Sequence, residues 1–327
     1  MALSHLRFDF RTPSFGEASA EELYATSLEM ARWADHRGFS TIIISEHHCA
    51  EDGFLSSPLV LAGALVGCTQ SVRISVAALL APLHDPIRLA EDIAVLDLVS
   101  GGRVTIVAGL GYRPVEYVAM GKRFDRRGRL FDECLEVLIK AWGDEPFEYN
   151  GEIIQVTPKP ASAARELLVI GGSSAAAAKR AARFGLSFSP PLHDDELNEI
   201  YFAECERLAV EKPKVGDPGE PWMLLVSEDP DRAWAESGPY LLHDARVYAS
   251  WQRAGQHAYQ HSVATTVEEL REEGKYRIMS PEECINYAAA VGEHAAFRHF
   301  PLGGGNPPEF GWASLETFVN KVLPYVK

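Results

Sequence analysis

Residues 72–108 read VRISVAALLAPLHDPIRLAEDIAVLDLVSGGRVTIVA. Val72 to Leu80 is a short apolar run of strand length. Pro86 to Val99 is a helix with a doubly marked start: Asp85 sits where a cap accepts the free N–H groups of the first turn. Pro86 takes the first helical position, where its missing N–H loses no hydrogen bond. Arg103 to Ala108 is a second strand. Strand, helix and strand in this order make a βαβ unit, in which the two strands run parallel.

The same rhythm extends in both directions. Upstream lie a strand at Leu6 to Phe10 and a helix over Ala20 to Arg37, which ends at Gly38. Ser40 to Ser45 (STIIIS) is a β-branched run of the kind buried on both faces, and Pro58 to Gly67 is an apolar helix. Downstream, helices are expected at Arg113 to Gly121 and Arg127 to Trp142. The alternation around Asn150-Gly151 in FEYNGEIIQV predicts a hairpin near 147–156, because Asn-Gly favours the type I′ turn. Strands follow at Leu167 to Ile170, Leu186 to Ser189, Trp222 to Ser227 and Phe297 to Phe300. Helices are expected at Ser174 to Phe184, Asp194 to Val210, Asp231 to Leu242, Pro281 to Val291 and Leu315 to Tyr325. The stretch 244–273 shows no strand and reads as a polar helical insertion. Eight βα units allow a closed barrel or an open doubly wound sheet.

Composition narrows the function. The 327 residues carry 46 acidic against 31 basic side chains, a formal charge of −15, with 46% hydrophobic and 24% charged residues. That is an ordinary globular composition. The length would allow two domains, but α/β barrels commonly exceed about 200 residues as one, and a single domain over 1–327 is expected. The acidic balance excludes general attraction to nucleic acid or an anionic membrane surface. Five scattered cysteines form no disulfide framework or zinc ribbon and suit a reducing cytoplasm. Met1 to Phe10 carries Arg7 and Asp9 and does not read as a signal peptide.

In a barrel, the chemistry gathers at the C-terminal ends of the strands. Those ends carry Glu46-His47-His48, Ala77-Ala78, Gly109-Leu110-Gly111 and Gly171-Gly172-Ser173-Ser174. His47 with a carboxylate neighbour is a candidate for moving a proton. Adjacent residues diverge on leaving a strand, so at most one of the two histidines faces the mouth. The small residues Ala77, Ala78, Gly109 and Gly111 leave room for a flat ligand, or are simply loop residues. Gly171, Gly172, Ser173 and Ser174 open a helix, as a phosphate seat does; Ser174 would equally serve as a plain helix cap. His257 and His261 lie four apart but lack a third ligand, so no metal site is expected. Asp125 to Arg129 reads as a solvated charge run.

Taken in order, these motifs resemble the bacterial luciferase-like flavin-dependent monooxygenase family. The stretches that carry the likeness are Gly38-Phe39 with STIIIS and Glu46-His47-His48, residues 72–104, GYRPVEYVAMG at 111–121 and VIGGSSAAAAKRAARFG at 169–185. The resemblance implies a (β/α)8 TIM barrel with insertions, holding reduced FMN at its mouth for reaction with molecular oxygen and a small-molecule substrate. It also implies a separate flavin reductase, a homodimer formed through helices near Pro58 to Gly67, a cis peptide at Ala77-Ala78, a proton-transfer role for His47 and a phosphate turn at Gly172 to Ser174. The family's phosphate-binding arginine falls on Leu110, leaving that contact missing or taken over by Arg113. Gly171-Gly172 replaces an acidic residue. The 244–273 stretch, with Tyr248, Trp251 and Tyr259, is the expected lid, although it differs from the luciferase mobile loop, so light emission is not expected. The alternatives are a deazaflavin-dependent hydride-transferring oxidoreductase on the same fold, a flavin-binding protein without turnover, and a sugar-phosphate lyase or isomerase. The last would want a lysine at a strand end, and none of these strand ends has one.

Overall fold

The computed structural model describes residues 2–216, 223–252 and 262–326. In chain order the first half is β1 (Leu3–Phe8), α1 (Ala20–Asp35), β2 (Thr41–Ile44), α2 (Pro58–Cys68), β3 (Arg73–Leu79), α3 (Pro86–Ser100), β4 (Val104–Ala108), α4 (Pro114–Ala119) and α5 (Arg127–Trp142). A hairpin of β5 (Phe147–Tyr149) and β6 (Glu152–Ile154) follows, then α6 (Ala164–Leu167), β7 (Leu168–Gly171), α7 (Ala175–Arg183), β8 (Ser187–Ser189) and α8 (Asp195–Arg207). The rest is β9 (Met223–Val226), α9 (Pro230–Trp251), α10 (Val267–Glu273), β10 (Tyr276–Met279), α11 (Pro281–Val291), β11 (Ala296–His299), α12 (Pro308–Lys321) and α13 (Leu323–Val326).

The central βαβ unit forms as its residues dictate. Asp85 accepts from the N–H groups of Ile87 and Arg88, both at 3.0 Å, and Gly101 stops α3 in the left-handed region at φ 64°. β3 and β4 pair in parallel from Ile74↔Val104, and their register shifts between Ala77 and Leu79. At that shift the Ala77–Ala78 peptide is cis, as the resemblance implies. The Asn150-Gly151 turn has positive φ at both residues (53° and 87°), the type I′ signature, and joins an antiparallel hairpin.

All described strands outside the hairpin join one parallel sheet in the order β10-β9-β11-β1-β2-β3-β4-β7-β8. With helices between successive strands, this is the expected β/α-barrel architecture. It has nine strands among the described residues where the sequence predicts eight. The addition is β10, whose four residues YRIM carry Arg277 and adjoin a polar stretch, so periodicity does not reveal it. β9 meets β11 at the single register pair His299↔Leu224, so it begins where β11 ends. A second apolar cluster forms at this level from Met223, Leu225, Trp234, Leu241, Tyr276 and Phe300.

The predicted insertion at 244–273 is corrected. The helix expected to end at Leu242 continues as α9 to Trp251, through Pro239, and carries Asp244, Tyr248 and Trp251 inward. Its buried face (Trp234, Tyr240, Leu241, Asp244, Ala245, Tyr248) keeps the helical period past 244, so no boundary falls there. Tyr259, His257 and His261 lie outside the described residues.

At the C-terminal end of β11, His299 is fully buried beside Phe318, 4.3 Å between ring centroids, and neither ring nitrogen has a hydrogen-bond partner. Burial, aided by nearby His5, pushes its pKa down to about 3. Burial, aided by Arg298, lowers His5 to about 4. Both are neutral when folded, while the unfolded chain takes up their protons near pH 6.5. Stability is therefore expected to fall as pH drops from 6.5 towards 3–4. His299→Leu should move the acid-unfolding midpoint, read by circular dichroism, to lower pH. An unchanged midpoint would count against this account.

Candidate active site

Four neighbouring strands, β2, β3, β4 and β7, bring the residues singled out by the sequence to one edge of the sheet. His47 follows β2, Ala77–Ala78 lies in β3, Gly109 follows β4, and Gly171 to Ser174 close β7 and open α7. Gly109 donates its N–H to Leu79 O at 2.8 Å, and a Cβ at residue 109 would stand 2.8 Å from Ala78 Cβ. The two strand ends touch there, and only glycine allows it. Ala77 and Ala78 are half-buried. Gly111 follows on the same loop, below which Tyr117 donates to Leu110 O.

The two histidines diverge as expected, but their carboxylates do not match the reading of Glu46 as the partner of His47. Glu46 Oε1 lies 2.8 Å from His48 Nε2 and 2.9 Å from His84 Nε2, and Oε2 accepts from Leu80 N at 2.6 Å. Burial would raise its pKa, but these hydrogen bonds outweigh burial and hold it at about 2. The partner of His47 is Glu116, in the first turn of α4, with Nδ1 to Oε1 at 3.0 Å. The same oxygen accepts from His48 N at 3.1 Å and Arg113 Nη1 at 3.2 Å, while Oε2 has no partner. An oxygen already taken by two obligatory N–H donors acts as an acceptor towards the imidazole too. Nδ1 then carries the proton and Nε2 keeps its lone pair.

His47 is buried, and aromatic rings surround it. Centroids of Phe54, Trp251, Tyr112 and Tyr248 lie 4.9, 5.0, 5.6 and 5.8 Å away. Burial lowers its pKa, Glu116 partly opposes this, and the charges of Arg11 and Arg113 add to the lowering. It is a neutral imidazole at neutral pH, able to accept a proton at Nε2.

Arg113 is not available as a replacement phosphate ligand. Its guanidinium bonds His48 O, Cys49 O and Glu116 and stacks 3.9 Å from the Trp251 ring centroid, on the His47 side of the site. Beside it, Arg11 bonds Asp244 at 2.6 Å and both oxygens of Asp52 at 2.9 and 2.7 Å. His243 reaches Asp52 at 2.8 Å, and Tyr276 donates to Asp244 at 2.7 Å. Sequence reading misses Glu116, Arg11, Asp52 and Asp244, because the partners that matter are remote: Glu116 stands 69 positions from His47, and Asp52 and Asp244 stand 41 and 233 from Arg11.

At the far end of the edge, Gly172 has φ 150°, and a Cβ there would lie 2.7 Å from Ala177 Cβ. Ser174 caps α7, accepting from Ala177 N, so the capping role holds, and its hydroxyl proton is left to donate outward. Half-buried Ser173 stands beside it. The run at 125–129 is superficial, with exposed pairs Arg123–Asp125 and Arg129–Glu133. Among the described residues no group of three or more His, Cys, Asp or Glu side chains is arranged to hold a metal ion, and no helix is long and apolar enough to cross a membrane.

The family model described as luciferase-like monooxygenase matches residues 8–299. The oxygenase component of the flavin-dependent trigonelline monooxygenase of Acinetobacter baylyi is 27% identical over 214 residues, covering 61% of this chain and 59% of that protein. The chain spans about half the length of the curated relatives it matches. Monooxygenase RslO1 from Streptomyces bottropensis superposes with a TM-score of 0.79 at 21% identity, over 99% of this chain and 100% of that one. An F420-dependent secondary alcohol dehydrogenase, in complex with an F420–acetone adduct, gives 0.68 at 18% identity over 100% and 99%. At such identities these two likenesses speak for the fold.

Proposed function

The chain belongs to the luciferase-like monooxygenase family, and from that premise we propose that it uses reduced FMN and molecular oxygen to oxygenate a small organic substrate. The observation that carries this reading is the row of His47, Ala77–Ala78, Gly109 and Gly171–Ser174 along four adjacent strand ends. Its floor is stripped of side chains at Gly109, Gly171 and Gly172, the three glycines of the row where a Cβ would collide, and this fits a flat ring with a phosphate at one end. Bound reduced FMN would supply the electrons for the transfer of one oxygen atom to the substrate. The backbone N–H groups of Gly172 and Ser173, with the Ser174 hydroxyl at the positive end of α7, would hold the phosphate. A protein of charge −15 relies on this local arrangement, because its overall field opposes the anion.

Ala77, Ala78, Gly109 and Gly111 leave the space for the ring. Glu116 fixes His47 with its lone pair at Nε2, from which the imidazole takes up or returns a proton beside the ring. Phe54, Tyr112, Tyr248 and Trp251 exclude water from the site. The similarity to an oxygenase component supports a separate flavin reductase as the source of reduced FMN, and the dispersed free cysteines support a cytoplasmic location.

A homodimer is proposed through α2 and α3, where Val60 (76% exposed), Val95, Leu98 and Val99 (65%) leave an apolar face uncovered. Light scattering should give twice the chain mass for the wild type and the single mass for Val60→Asp/Val99→Asp. A monomeric wild type would contradict the dimer.

The second reading is hydride transfer with a deazaflavin, favoured by the full-length fold likeness to the F420-dependent enzyme. An oxygen-consumption screen with FMN, a reductase and candidate substrates under 18O2 tests the first reading. One 18O atom in the product supports it. In a parallel assay with a deazaflavin in place of FMN and its reductase, product formed without 18O, in a reaction indifferent to oxygen and with a matching change in the deazaflavin's redox state, supports the second.

A further inference from the structure

The enclosure around His47 contains a second polar side chain whose hydrogen bonding is incomplete. Arg11 extends from the end of β1 and is fully buried. Its Nε goes to Asp244 and its Nη1 to both oxygens of Asp52, while Nη2 has no partner. Its Cζ stands 4.9, 4.9 and 4.8 Å from the ring centroids of Phe54, Tyr248 and Trp251. The same three rings pack around His47. The unanswered corner of the guanidinium and the imidazole thus share one aromatic enclosure. The rings attract the cation, but they give its N–H bonds no oxygen, and a buried donor without an acceptor is costly.

The charge around Arg11 decides which oxygen can answer it. Its single positive charge faces Asp52 and Asp244, and a third carboxylate, Asp9, lies 3.8 Å from Nε. His243 faces Asp52 from α9, and Arg113 is occupied with Glu116. Arg7, bonded to the Ser45 hydroxyl, adds a second positive charge near Tyr248. Among the described residues Arg7 and Arg11 are matched by Asp52 and Asp244, with Asp9 beside them, so no net positive charge is left over for an anionic ligand. We propose that Arg11 is a specificity-determining residue of this site, donating from Nη2 to an uncharged carbonyl or hydroxyl oxygen on a flat, unsaturated substrate whose ring packs against the cluster of Phe54, Tyr248 and Trp251. The proposal rests on the reading of this mouth as the active site.

Three ring-matched probes test it on the full chain, with and without FMN: acetophenone, benzoate and ethylbenzene, followed by tryptophan fluorescence. Acetophenone should bind at least about tenfold more tightly than either of the others, the effect of one good hydrogen bond in a dry site. Arg11→Lys keeps the positive charge among the aspartates but loses the planar third corner, and should erase the preference. Trp251→Phe should weaken all three probes and keep it. The infrared carbonyl band of acetophenone on the wild-type protein provides a readout that needs no variant to fold. A band below its position in hydrocarbon solvent supports the proposal. A band at the hydrocarbon position, equal affinity for acetophenone and ethylbenzene, tighter binding of benzoate, or a preference that survives in folded Arg11→Lys would each overturn it. If acetophenone is preferred but FMN does not bind, the flavin reading fails and the Arg11 assignment stands.

Discussion

Replacing His47 with alanine is expected to reduce product formation by a factor on the order of 10²–10⁴, the range for a positioned acid–base group. FMN affinity should stay within about twofold, because the phosphate turn and the Ala77–Ala78 floor are untouched. Turnover unchanged by the substitution would remove His47 from the chemistry, and flavin bound with no turnover in the wild type would leave the chain a flavin binder. Glu116→Gln should act through His47. The amide oxygen still accepts from the Nδ1–H, His48 N and Arg113, so the geometry is kept, but the charge that supports a protonated imidazole is lost. A rate loss on the order of tenfold is expected, with Glu116→Leu worse at roughly 100-fold, because the ring then loses its anchor as well.

The pH dependence follows from the direction of the His47 shift. Burial holds its pKa below the ordinary 6.5, so the neutral imidazole persists through neutral pH and activity falls only on the acid side. The inflection should lie below pH 6.5 in the wild type. In Glu116→Gln it should lie lower still, since Glu116 opposes the depression. A purely structural Glu116 would change rate or stability without moving the inflection.

The second large effect is expected at the opposite end of the site. Gly172→Val forces a β-branched residue into φ 150° and against Ala177 Cβ, which disrupts the N–H groups proposed to hold the phosphate. The loss of about two charge-assisted hydrogen bonds corresponds to roughly 100-fold in Kd. The comparison that isolates the phosphate is FMN against riboflavin. Wild type should prefer FMN, and Gly172→Val should bind both equally weakly. Gly109→Val, which meets Ala78 Cβ, should instead weaken FMN and riboflavin together, because it fills the floor under the ring. A Gly172→Val protein that keeps its preference for FMN would remove this turn from the account.

What could be read from the residues was what local physics controls. The capped start of α3, the β-branched β2 and the Asn150-Gly151 turn each declare themselves within a few residues, and together they yield the barrel. Small residues and a histidine at strand ends mark the rim for the same reason. β10 escaped because four residues with a central arginine carry no periodicity of their own; the sheet recruits them through β9. The carboxylate next to His47 in the sequence is Glu46, yet neighbours on a strand point apart. Glu46 turns to His48 and His84, and the carboxylate that reaches His47 arrives from α4, 69 positions on. Arg11 was equally hidden: nothing near β1 announces that α9 will bring Asp244 beneath it and Trp251 over it.

The most direct test of the central claim is an anaerobic titration of the purified full chain with reduced FMN and, separately, a reduced deazaflavin. Reduced FMN should bind with a Kd of about 1 μM or below, and at least about tenfold more tightly than the deazaflavin. Saturable binding of the deazaflavin with no binding of reduced FMN would contradict the account.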